Sequence, residues 1–549
     1  MINKSIFETK MPFERFGLML DNSRNAVMTV ESVKRMIRIM EKLDYNMLML
    51  YTEDTYEVNN QPYFGRYRGR YKKEELKELD AYAKARGIEL VPCIQTLAHL
   101  FTLQHWPTYW DVADSRDTLC VGEEKVYQLI DDIFATLAEC FTSRNANIGM
   151  DEAAMLGLGN YLKKHGYRNR IDIFTEHLNR VSQIAKKYGF SVCIWSDMFF
   201  KLASAGWHEQ ESKCDEIDAS VSSMIPENVR LIYWDYYSTD KAHYDQWIEG
   251  HAKLKPNTLF AGGLWSWSGF APHNAYSLKS GEAALTSCME HGVRDVFFTV
   301  WGNDGAECSR FSVLPSMFYN SCIAHGIVDE QQIKNKFQTC FGISFDDYML
   351  LDLPDTPDAR GEHVNPCKYM FYCDCLMGKF DSNVRKTDAK EYADMSVRLE
   401  CLTEHAEFGV LFSTMRALCD VLSLKVDIGV RTRAAYVTDD KLAMSRLLDD
   451  YDQLKDYIEK FYEAFRTQWF WENKPHGFEV HDSRIGGLIL RISHCRKRLA
   501  DYINGDIDKI EELEEPELDF MGRGELLNEE DKKSFDYNGW YATVTTGVV

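Results

Sequence analysis

Residues 16 to about 304 repeat one pattern, in which a short apolar run is followed by polar residues and then by an amphipathic segment. The runs are continuous rather than alternating: FGLMLD, NMLMLYTED, IELVPCIQT, NANIGMDE, SVCIWSDM, VRLIYWDYY, TLFAGGLWSW and DVFFTVWGND. A continuous run is typical of a parallel strand, because such a strand is buried on both faces. About eight repeats of this kind predict a (β/α)₈ barrel, with a doubly wound open sheet as the alternative.

The segments between the apolar runs have the period of amphipathic helices. Leu76, Leu79 and Ala83 are spaced for one helix face before Gly87, and a similar stripe precedes Gly189. Glycine is favoured just after the end of a helix because it adopts the left-handed backbone conformation without strain. The sequence therefore predicts a helix before each of these two glycines.

Polar and aromatic residues stand at the C-terminal end of nearly every apolar run. In a (β/α)₈ barrel these ends meet on one face, where the loops after the strands build the active site. We therefore expect the following residues on one face of the barrel: Asp21, Glu53, Asp54, Gln95, Asp151, Glu152, Trp195, Asp197, Asp235, Tyr236, Trp265, Trp267, Trp301 and Asp304.

The pattern changes after about residue 310 to helical segments without intervening strands, such as DKLAMSRLLDDYDQLKDYIEKFYEAF. We predict a catalytic barrel over residues 1–310 and a helical C-terminal domain over residues 311–549. The segment IDKIEELEEPELDFMGRGELLNEEDKK is acidic, and we expect it to be a partly ordered surface tail.

Composition and charge exclude several classes of partner and site. The formal net charge is -22 and no lysine- or arginine-rich block occurs, which argues against nucleic acid or an anionic membrane as a partner. The first residues lack the apolar core of a secretion signal, so we expect a cytoplasmic protein. The 15 cysteines show no metal-ligand spacing, and we expect reduced thiols and no metal site.

Asp151 and Glu152 are adjacent at the end of the fourth run. Glycoside hydrolases commonly use two carboxylates in a cleft. These carboxylates flank the sugar from opposite sides, and two residues adjacent in sequence fit that arrangement poorly. They suit a mechanism in which the substrate supplies its own nucleophile and the first acid orients it. Taken alone, Asp151 and Glu152 could instead be an acidic pair at a helix N-terminus, which is the alternative interpretation.

Aromatic residues accompany this pair at the predicted strand ends. Aromatic rings stack against the apolar faces of sugar rings, while carboxylates and arginine bind hydroxyl groups. The sequence therefore predicts a sugar-binding pocket walled by aromatic side chains: Trp195, Trp234, Tyr236, Tyr237, Trp265, Trp267 and Trp301.

The elements IGMDEA (residues 148–153) and LMLDNSRN (residues 18–25), with the tryptophans of the fifth and eighth runs, resemble the family 20 glycoside hydrolases, the N-acetyl-β-hexosaminidases. The resemblance covers residues 16 to about 304. It is strongest to a compact bacterial branch of exo-acting β-N-acetylglucosaminidases that lacks the family's usual N-terminal domain and carries a helical C-terminal domain.

The resemblance implies a role for each matching residue. Glu152 is the expected general acid and later the base that activates water. Asp151 is expected to orient the acetamido group of the substrate, whose oxygen attacks the anomeric carbon and gives an oxazolinium-like intermediate. Tyr236 or Tyr237 is expected to donate a hydrogen bond to the acetamido oxygen; both stay open, and Tyr236 is preferred because it shares a face with Trp234.

His99 lies where the family has a histidine that tunes the acid/base together with an acid after the second strand, here Glu53 or Asp54. A buried, non-catalytic histidine is the alternative. The family's carboxylate after the last strand is replaced by Asn303, so the ligand of the distal hydroxyls stays open between Asn303, Asp304 and Glu307. The expected substrate-binding residues are Arg24, Glu53, Trp195, Trp234, Tyr237, Trp265, Trp301 and Asp304.

The resemblance implies a retaining exo-β-N-acetylhexosaminidase that needs no metal or organic cofactor and acts on a β-linked N-acetylhexosamine glycan. The preference between gluco and galacto sugars and the natural substrate stay open, and the resemblance allows a homodimer. The alternatives are another acetamido-assisted enzyme, such as one acting on protein-linked O-GlcNAc, and a non-catalytic carbohydrate-binding barrel.

Overall fold

The computed structural model of the chain describes residues 6–203, 220–356, 363–523 and 526–543. Within these ranges, eight parallel strands close into a barrel in the order β1 to β8, which confirms the predicted fold and excludes the open sheet. The strands are β1 (Arg15–Asp21), β2 (Met47–Thr52), β3 (Glu89–Ile94), β4 (Asn145–Asn147), β5 (Ser191–Trp195), β6 (Val229–Trp234), β7 (Leu259–Gly263) and β8 (Asp295–Val300).

Helices follow the strands and pack around the barrel as in alternating β/α units. These helices are α1 (Val30–Lys42), α2 (Lys73–Lys84), α3 (Glu124–Cys140), α4 (Asn160–His165), α5 (Arg170–Lys187), α6 (Asp197–Ala203), α7 (Ser220–Met224), α8 (Lys241–Leu254) and α9 (Asn274–Glu290). Both predicted helices before glycine are present as α2 and α5. Gly189 directly follows the C-cap residue of α5, whereas Gly87 lies one residue further from the end of α2.

The barrel interior is filled by side chains from alternating positions of the strands. The packing is tight at Gly17, where an added Cβ would lie 3.0 Å from the backbone oxygen of Met47 and 3.1 Å from Cβ of Phe297. Close packing of this kind makes the barrel a solid core whose functional groups are confined to the strand ends. The interior cluster consists of Met19, Met47, Met49, Tyr51, Val91, Cys93, Cys193, Trp195, Ile232, Leu259, Ala261 and Phe297, with Trp234 and Trp301 packed against it.

The chain divides into two compact units, each built from more than one stretch of sequence. The first comprises Met1–Leu264, Ser277–Trp301 and Ser316–Lys336, and it includes the whole barrel. The second comprises Trp265–Tyr276, Gly302–Pro315 and Phe337–Val549, so two loops that follow barrel strands are assigned to it. The order of residues along the chain does not predict that these two loops group with residues after Phe337.

After β8 the described residues are helical, as the sequence predicts. The helices are α10 (Leu314–Ala324), α11 (Glu330–Phe341), α12 (Phe345–Met349), α13 (Pro366–Tyr372), α14 (Asp388–Leu399), α15 (Gly409–Val437), α16 (Lys441–Glu472), α17 (Phe478–Asn504), α18 (Glu511–Glu514) and α19 (Trp540–Thr543). Helix α16 buries Leu447, Tyr451, Leu454 and Ile458 at spacings of three and four residues, which gives it one apolar face. No helix in the described ranges has the length and apolar character needed to span a membrane.

The acidic segment after α17 packs within the second unit. Leu513 is buried, and Arg498 binds the carboxylates of Glu511 and Glu512. Further along, the ring of Phe535 stacks on Tyr369 with centroids 4.4 Å apart. The described part of this segment is therefore held by both apolar and ionic contacts.

Candidate active site

The turn after β4 presents Asp151 and Glu152. Its backbone passes through the left-handed region at Gly149, Met150 and Glu152, with φ of +71°, +69° and +49°. Such conformations are costly for residues other than glycine and persist where surrounding contacts hold them. The contacts at this turn therefore decide where the two carboxylates point.

Gln95, at the end of β3, supplies two of these contacts. Its Oε1 accepts a hydrogen bond from the Met150 amide at 3.1 Å, and its Nε2 donates to Asp151 Oδ1 at 2.7 Å. Nε2 also lies 3.0 Å from the hydroxyl of Tyr51. A Cβ on Gly149 would lie 2.1 Å from Gln95 Oε1, so the glycine permits this close approach.

The carboxylate of Asp197, the first residue of α6, supplies a third contact. Its Oδ2 accepts a hydrogen bond from the Glu152 amide at 3.1 Å and forms an ion pair with Lys201 Nζ at 3.0 Å. Burial raises the pKa of Asp197 to about 6; Lys201 opposes this rise, and Asp151 and Glu152 add to it. The apolar runs predict Gln95 and Asp197 at strand ends, but their contacts with the Asp151–Glu152 turn were not predicted; the signal for them is a polar residue at the end of an apolar run.

His99 lies beside both predicted catalytic carboxylates. Its Nε2 is 3.1 Å from Asp151 Oδ2 and 3.6 Å from Glu152 Oε2. Burial opposes the charged ring, but Asp151 outweighs this effect and raises the pKa of His99 to about 9. Burial likewise opposes an ionised Asp151, yet His99 and Gln95 hold the pKa of Asp151 below its usual range. At neutral pH the pair is therefore an imidazolium and a carboxylate.

The acids after β2 have other partners than the sequence suggested. Glu53 Oε1 accepts hydrogen bonds from Arg24 Nε at 2.8 Å and from the Tyr51 hydroxyl at 3.1 Å. Asp54 pairs with Arg68 and accepts a hydrogen bond from Thr102. The direct carboxylate partner of His99 in this structure is thus Asp151 rather than Glu53 or Asp54. Glu53 acts on the ring only as a more distant charge that raises its pKa.

Arg24 is anchored by the turn that follows β1. The carboxylate of Asp21 accepts hydrogen bonds from the Ser23 amide, the Ser23 hydroxyl and the Arg24 amide. The guanidinium carbon of Arg24 lies 5.6 Å from the ring centroid of Trp301, and Nη2 lies 3.4 Å from Nδ1 of His99. Arg24 therefore lies next to the His99–Asp151 pair, and its positive charge lowers the pKa of His99, against the larger effect of Asp151.

The aromatic residues of the first unit differ in exposure. Tyr236 is buried and its hydroxyl accepts a hydrogen bond from Trp301 Nε1 at 3.2 Å. Trp234 stacks on Tyr236 at 5.3 Å between centroids, as the shared strand face predicts, whereas Tyr237 is 57% exposed. Trp195 is fully buried in the barrel interior, 6.1 Å from Trp301, and its Nε1 has no hydrogen-bond partner among the described residues.

Trp265 and Asp304 belong to the second unit. Trp265 is buried and stacks on Trp267 at 4.4 Å between centroids. Asp304 pairs with Lys368 at 3.1 Å and with Arg484 at 2.8 Å, and the same two cations bind Glu307. Their predicted contacts with substrate stay predictions.

One group of side chains in the described ranges has the residue types of a metal site. Ligand atoms of His99, Asp151 and Glu152 lie within 4.8 Å of one another. A histidine must be neutral to bind a metal, whereas the neighbouring carboxylate keeps His99 protonated. A cation bound here would therefore have to displace the proton of His99.

Comparison with known proteins gives two matches that follow each other along the chain. The Glycosyl hydrolase family 20 catalytic domain matches residues 13–260, and the Glycoside Hydrolase 20C C-terminal domain matches residues 346–530. Together they cover the barrel from β1 to the start of β7 and most of the helical region.

Individual relatives are distant. A β-hexosaminidase of Akkermansia muciniphila is 26% identical over 167 residues, which are 25% of this chain and 34% of that protein. The chain thus spans about a third of the length of this relative. Hexosaminidase D of Bos taurus is 22% identical over 266 residues, covering 47% of this chain and 70% of that protein.

Among solved structures, an exo-β-N-acetylglucosaminidase from Vibrio harveyi in complex with N-acetylglucosamine is similar to this chain with a TM-score of 0.46. It shares 14% sequence identity, and the match covers 63% of this chain and 59% of that one.

Proposed function

Because the chain belongs to glycosyl hydrolase family 20, we propose that the protein is a retaining exo-β-N-acetylhexosaminidase that releases terminal N-acetylglucosamine from oligosaccharides or glycoconjugates. The observation that carries the proposal is the closeness of the two carboxylates, whose nearest ligand atoms lie within 4.8 Å and beside one histidine. Carboxylates that flank a sugar ring stand on opposite sides of it, whereas these two belong to consecutive residues and lie 3.1 and 3.6 Å from the same histidine nitrogen. A one-sided arrangement supports a mechanism in which the substrate provides the nucleophile.

In this mechanism Asp151 accepts a hydrogen bond from the acetamido N–H of the substrate. The ionised state favoured by His99 suits this role, because a carboxylate is an acceptor only. The acetamido oxygen attacks the anomeric carbon, the glycosidic bond breaks, and a cyclic oxazolinium forms. Burial raises the pKa of Tyr236 well above its usual value. Its hydroxyl therefore stays protonated and can donate a hydrogen bond to the acetamido oxygen.

Glu152 gives its proton to the leaving oxygen in the first step and takes a proton from water in the second. Its side chain is 48% exposed, compared with 11% for Asp151, so the leaving group and water have access to it. Water attacks the anomeric carbon from the face that the leaving group vacated, which regenerates the acetamido group with net retention. General acid–base catalysis of this kind contributes about 10²- to 10⁴-fold.

The first experiment compares 4-nitrophenyl β-N-acetylglucosaminide with 4-nitrophenyl β-glucoside at equal concentrations. We expect hydrolysis of the first only, with the β anomer as the initial product in proton NMR. Comparable rates on both would overturn substrate assistance. A 4-nitrophenyl β-N-acetylgalactosaminide and an O-GlcNAc peptide in the same panel define the sugar and aglycone preference.

The second experiment tests the acid/base assignment with Glu152→Gln. We expect kcat/KM for an N-acetylglucosamine disaccharide to fall by about 10²- to 10⁴-fold. The loss should be smaller for the 4-nitrophenyl sugar, whose leaving group needs little protonation. The exposed Glu74→Gln variant is the control, and equal losses on the two substrates would contradict the assignment.

A further inference from the structure

Asp197 contacts the catalytic turn through the backbone rather than through a reacting atom. Its Oδ2 accepts the hydrogen bond from the Glu152 amide at 3.1 Å, and Glu152 is one of the turn residues in the left-handed region, with φ of +49°. An amide held by a buried carboxylate resists rotation of its peptide unit, because rotation would break a charge-assisted hydrogen bond. The orientation of the Glu152 side chain thus depends on this acceptor.

Lys201 holds the carboxylate of Asp197 in place. It lies one helical turn further along α6, and its Nζ is 3.0 Å from the same Oδ2. The side chains of Asp197 and Lys201 are 8% and 5% exposed. A buried pair of this kind costs desolvation energy and has few rotamers available, so it fixes geometry more than it adds stability.

The other carboxylate oxygen of Asp197, Oδ1, makes neither of these two contacts. Oδ1 is buried and has no hydrogen-bond partner among the described residues. Both contacts of the carboxylate, one with the Glu152 amide and one with Lys201, therefore fall on a single oxygen. A structural ion pair placed only for stability would have no need to converge on the catalytic backbone.

We propose that Asp197 and Lys201 form a positioning pair that aims the general acid Glu152 at the leaving oxygen. This inference rests on the proposed hydrolase function. The acceptor oxygen of Asp197 holds the Glu152 peptide unit, and Lys201 keeps that oxygen in register with it. Asp151 is held separately by Gln95 and His99, so loss of the pair should impair protonation of the leaving group more than participation of the acetamido group.

Two double variants separate the effect of the hydrogen-bond acceptor from the effect of the ion pair. Asp197→Asn with Lys201→Met retains an oxygen that can accept the Glu152 N–H, and it leaves no buried unpaired charge. Asp197→Ala with Lys201→Met removes the acceptor as well. The matched control is Asp245→Ala, which breaks a partly exposed Lys241–Asp245 pair with the same four-residue spacing on α8.

The activity readout is the ratio of kcat/KM between 4-nitrophenyl β-N-acetylglucosaminide and an N-acetylglucosamine disaccharide. We expect the alanine double variant to lose about 30-fold more activity on the disaccharide than on the aryl sugar, within the range of general acid catalysis. The asparagine double variant, which keeps an acceptor but lacks the lysine that holds it, should change this ratio less than the alanine double variant does. The control should stay within fivefold of the wild-type ratio. Affinity for a thiazoline analogue of the oxazolinium should change less than threefold in all variants.

Hydrogen–deuterium exchange of peptides that cover residues 150–156 tests the same contact without catalysis. The amide of Glu152 should exchange faster in the alanine double variant than in the asparagine one. If the wild type hydrolyses none of the substrates, the proposed function fails while the exchange difference still tests the positioning contact. The positioning role is overturned if the alanine double variant is folded, exchanges the Glu152 amide as the wild type does, and keeps the wild-type ratio of kcat/KM between the two substrates.

Discussion

The Nε2 atom of His99 lies 3.1 Å from Oδ2 of Asp151, and each side chain favours the charged form of the other. A protonated ring at neutral pH cannot accept a proton from Glu152, although Nε2 is only 3.6 Å from Oε2 of that residue. His99 therefore acts on the catalytic pair as a fixed positive charge.

The first prediction concerns the pH dependence of stability. The pKa of His99 rises from 6.5 to about 9 on folding, so its contribution is fully present below pH 6.5 and is lost as the pH rises through about 9. We expect His99→Gln to lower the stability by about 1 to 3 kcal/mol near pH 6. The Tm difference between wild type and variant should shrink by pH 9.5.

Asp151 sets the lower limit of this window. Its pKa is lowered on folding, so its contribution is present above the ordinary value of 3.8 and is lost as the pH falls through the lower folded value. A Tm difference that stays constant from pH 6 to pH 9.5 would contradict a charged His99–Asp151 pair.

The second prediction concerns Gly149, whose added Cβ would meet Gln95. We expect Gly149→Ala to displace Gln95 and with it Asp151, and to lower kcat/KM by at least about tenfold, because small misplacements of catalytic groups are costly. Gly87→Ala is the matched control, since Gly87 has a similar φ of +73° but nothing within 4 Å of the added Cβ. Equal activity losses in the two variants would show that backbone strain alone is responsible.

The third prediction concerns the pair formed by Arg24 and Glu53. Glu53 is 7% exposed, so Arg24→Met should destabilise the protein by about 3 to 5 kcal/mol by leaving a buried charge unpaired. Adding Glu53→Gln should recover part of this loss, measured as Tm. If Arg24 also binds substrate hydroxyls, kcat/KM should stay low in the double variant although stability returns.

The control for this cycle is the exposed pair of Lys125 and Asp111, which should show no measurable coupling. Recovery of both stability and kcat/KM in the Arg24→Met, Glu53→Gln protein would restrict Arg24 to a structural role.

The fourth prediction separates the two candidate tyrosines. Tyr236→Phe removes the buried hydroxyl next to Trp301 and should lower kcat by about 10²-fold, in line with the loss of one donor to a developing charge. Tyr237→Phe removes an exposed hydroxyl and should leave kcat within about threefold. Initial rates on the aryl N-acetylglucosaminide measure both, and the reverse order would assign the donor to Tyr237.

The arrangement of polar strand ends could be predicted because parallel strands carry their C-terminal residues to one barrel face. The contacts between those residues could not be predicted. Gln95 meets Asp151 because β3 and β4 are neighbours in the closed barrel and because Gly149 leaves room for the amide. His99 pairs with Asp151 and Arg24 with Glu53, and which acid pairs with which cation depends on distances of a few ångströms.

Reading the chain alone was enough to predict the barrel and the helices that follow its strands, and to find Asp151 next to Glu152. These features follow from local periodicity and from the order of residues along the chain. The tertiary structure alone decided which acid pairs with His99, that Asp197 holds the Glu152 amide, and that the loops after β7 and β8 are assigned to the second unit. Each of these relationships involves residues distant in sequence. Closure of the barrel and packing of the side chains bring Asp151 to His99 and the Glu152 amide to Asp197.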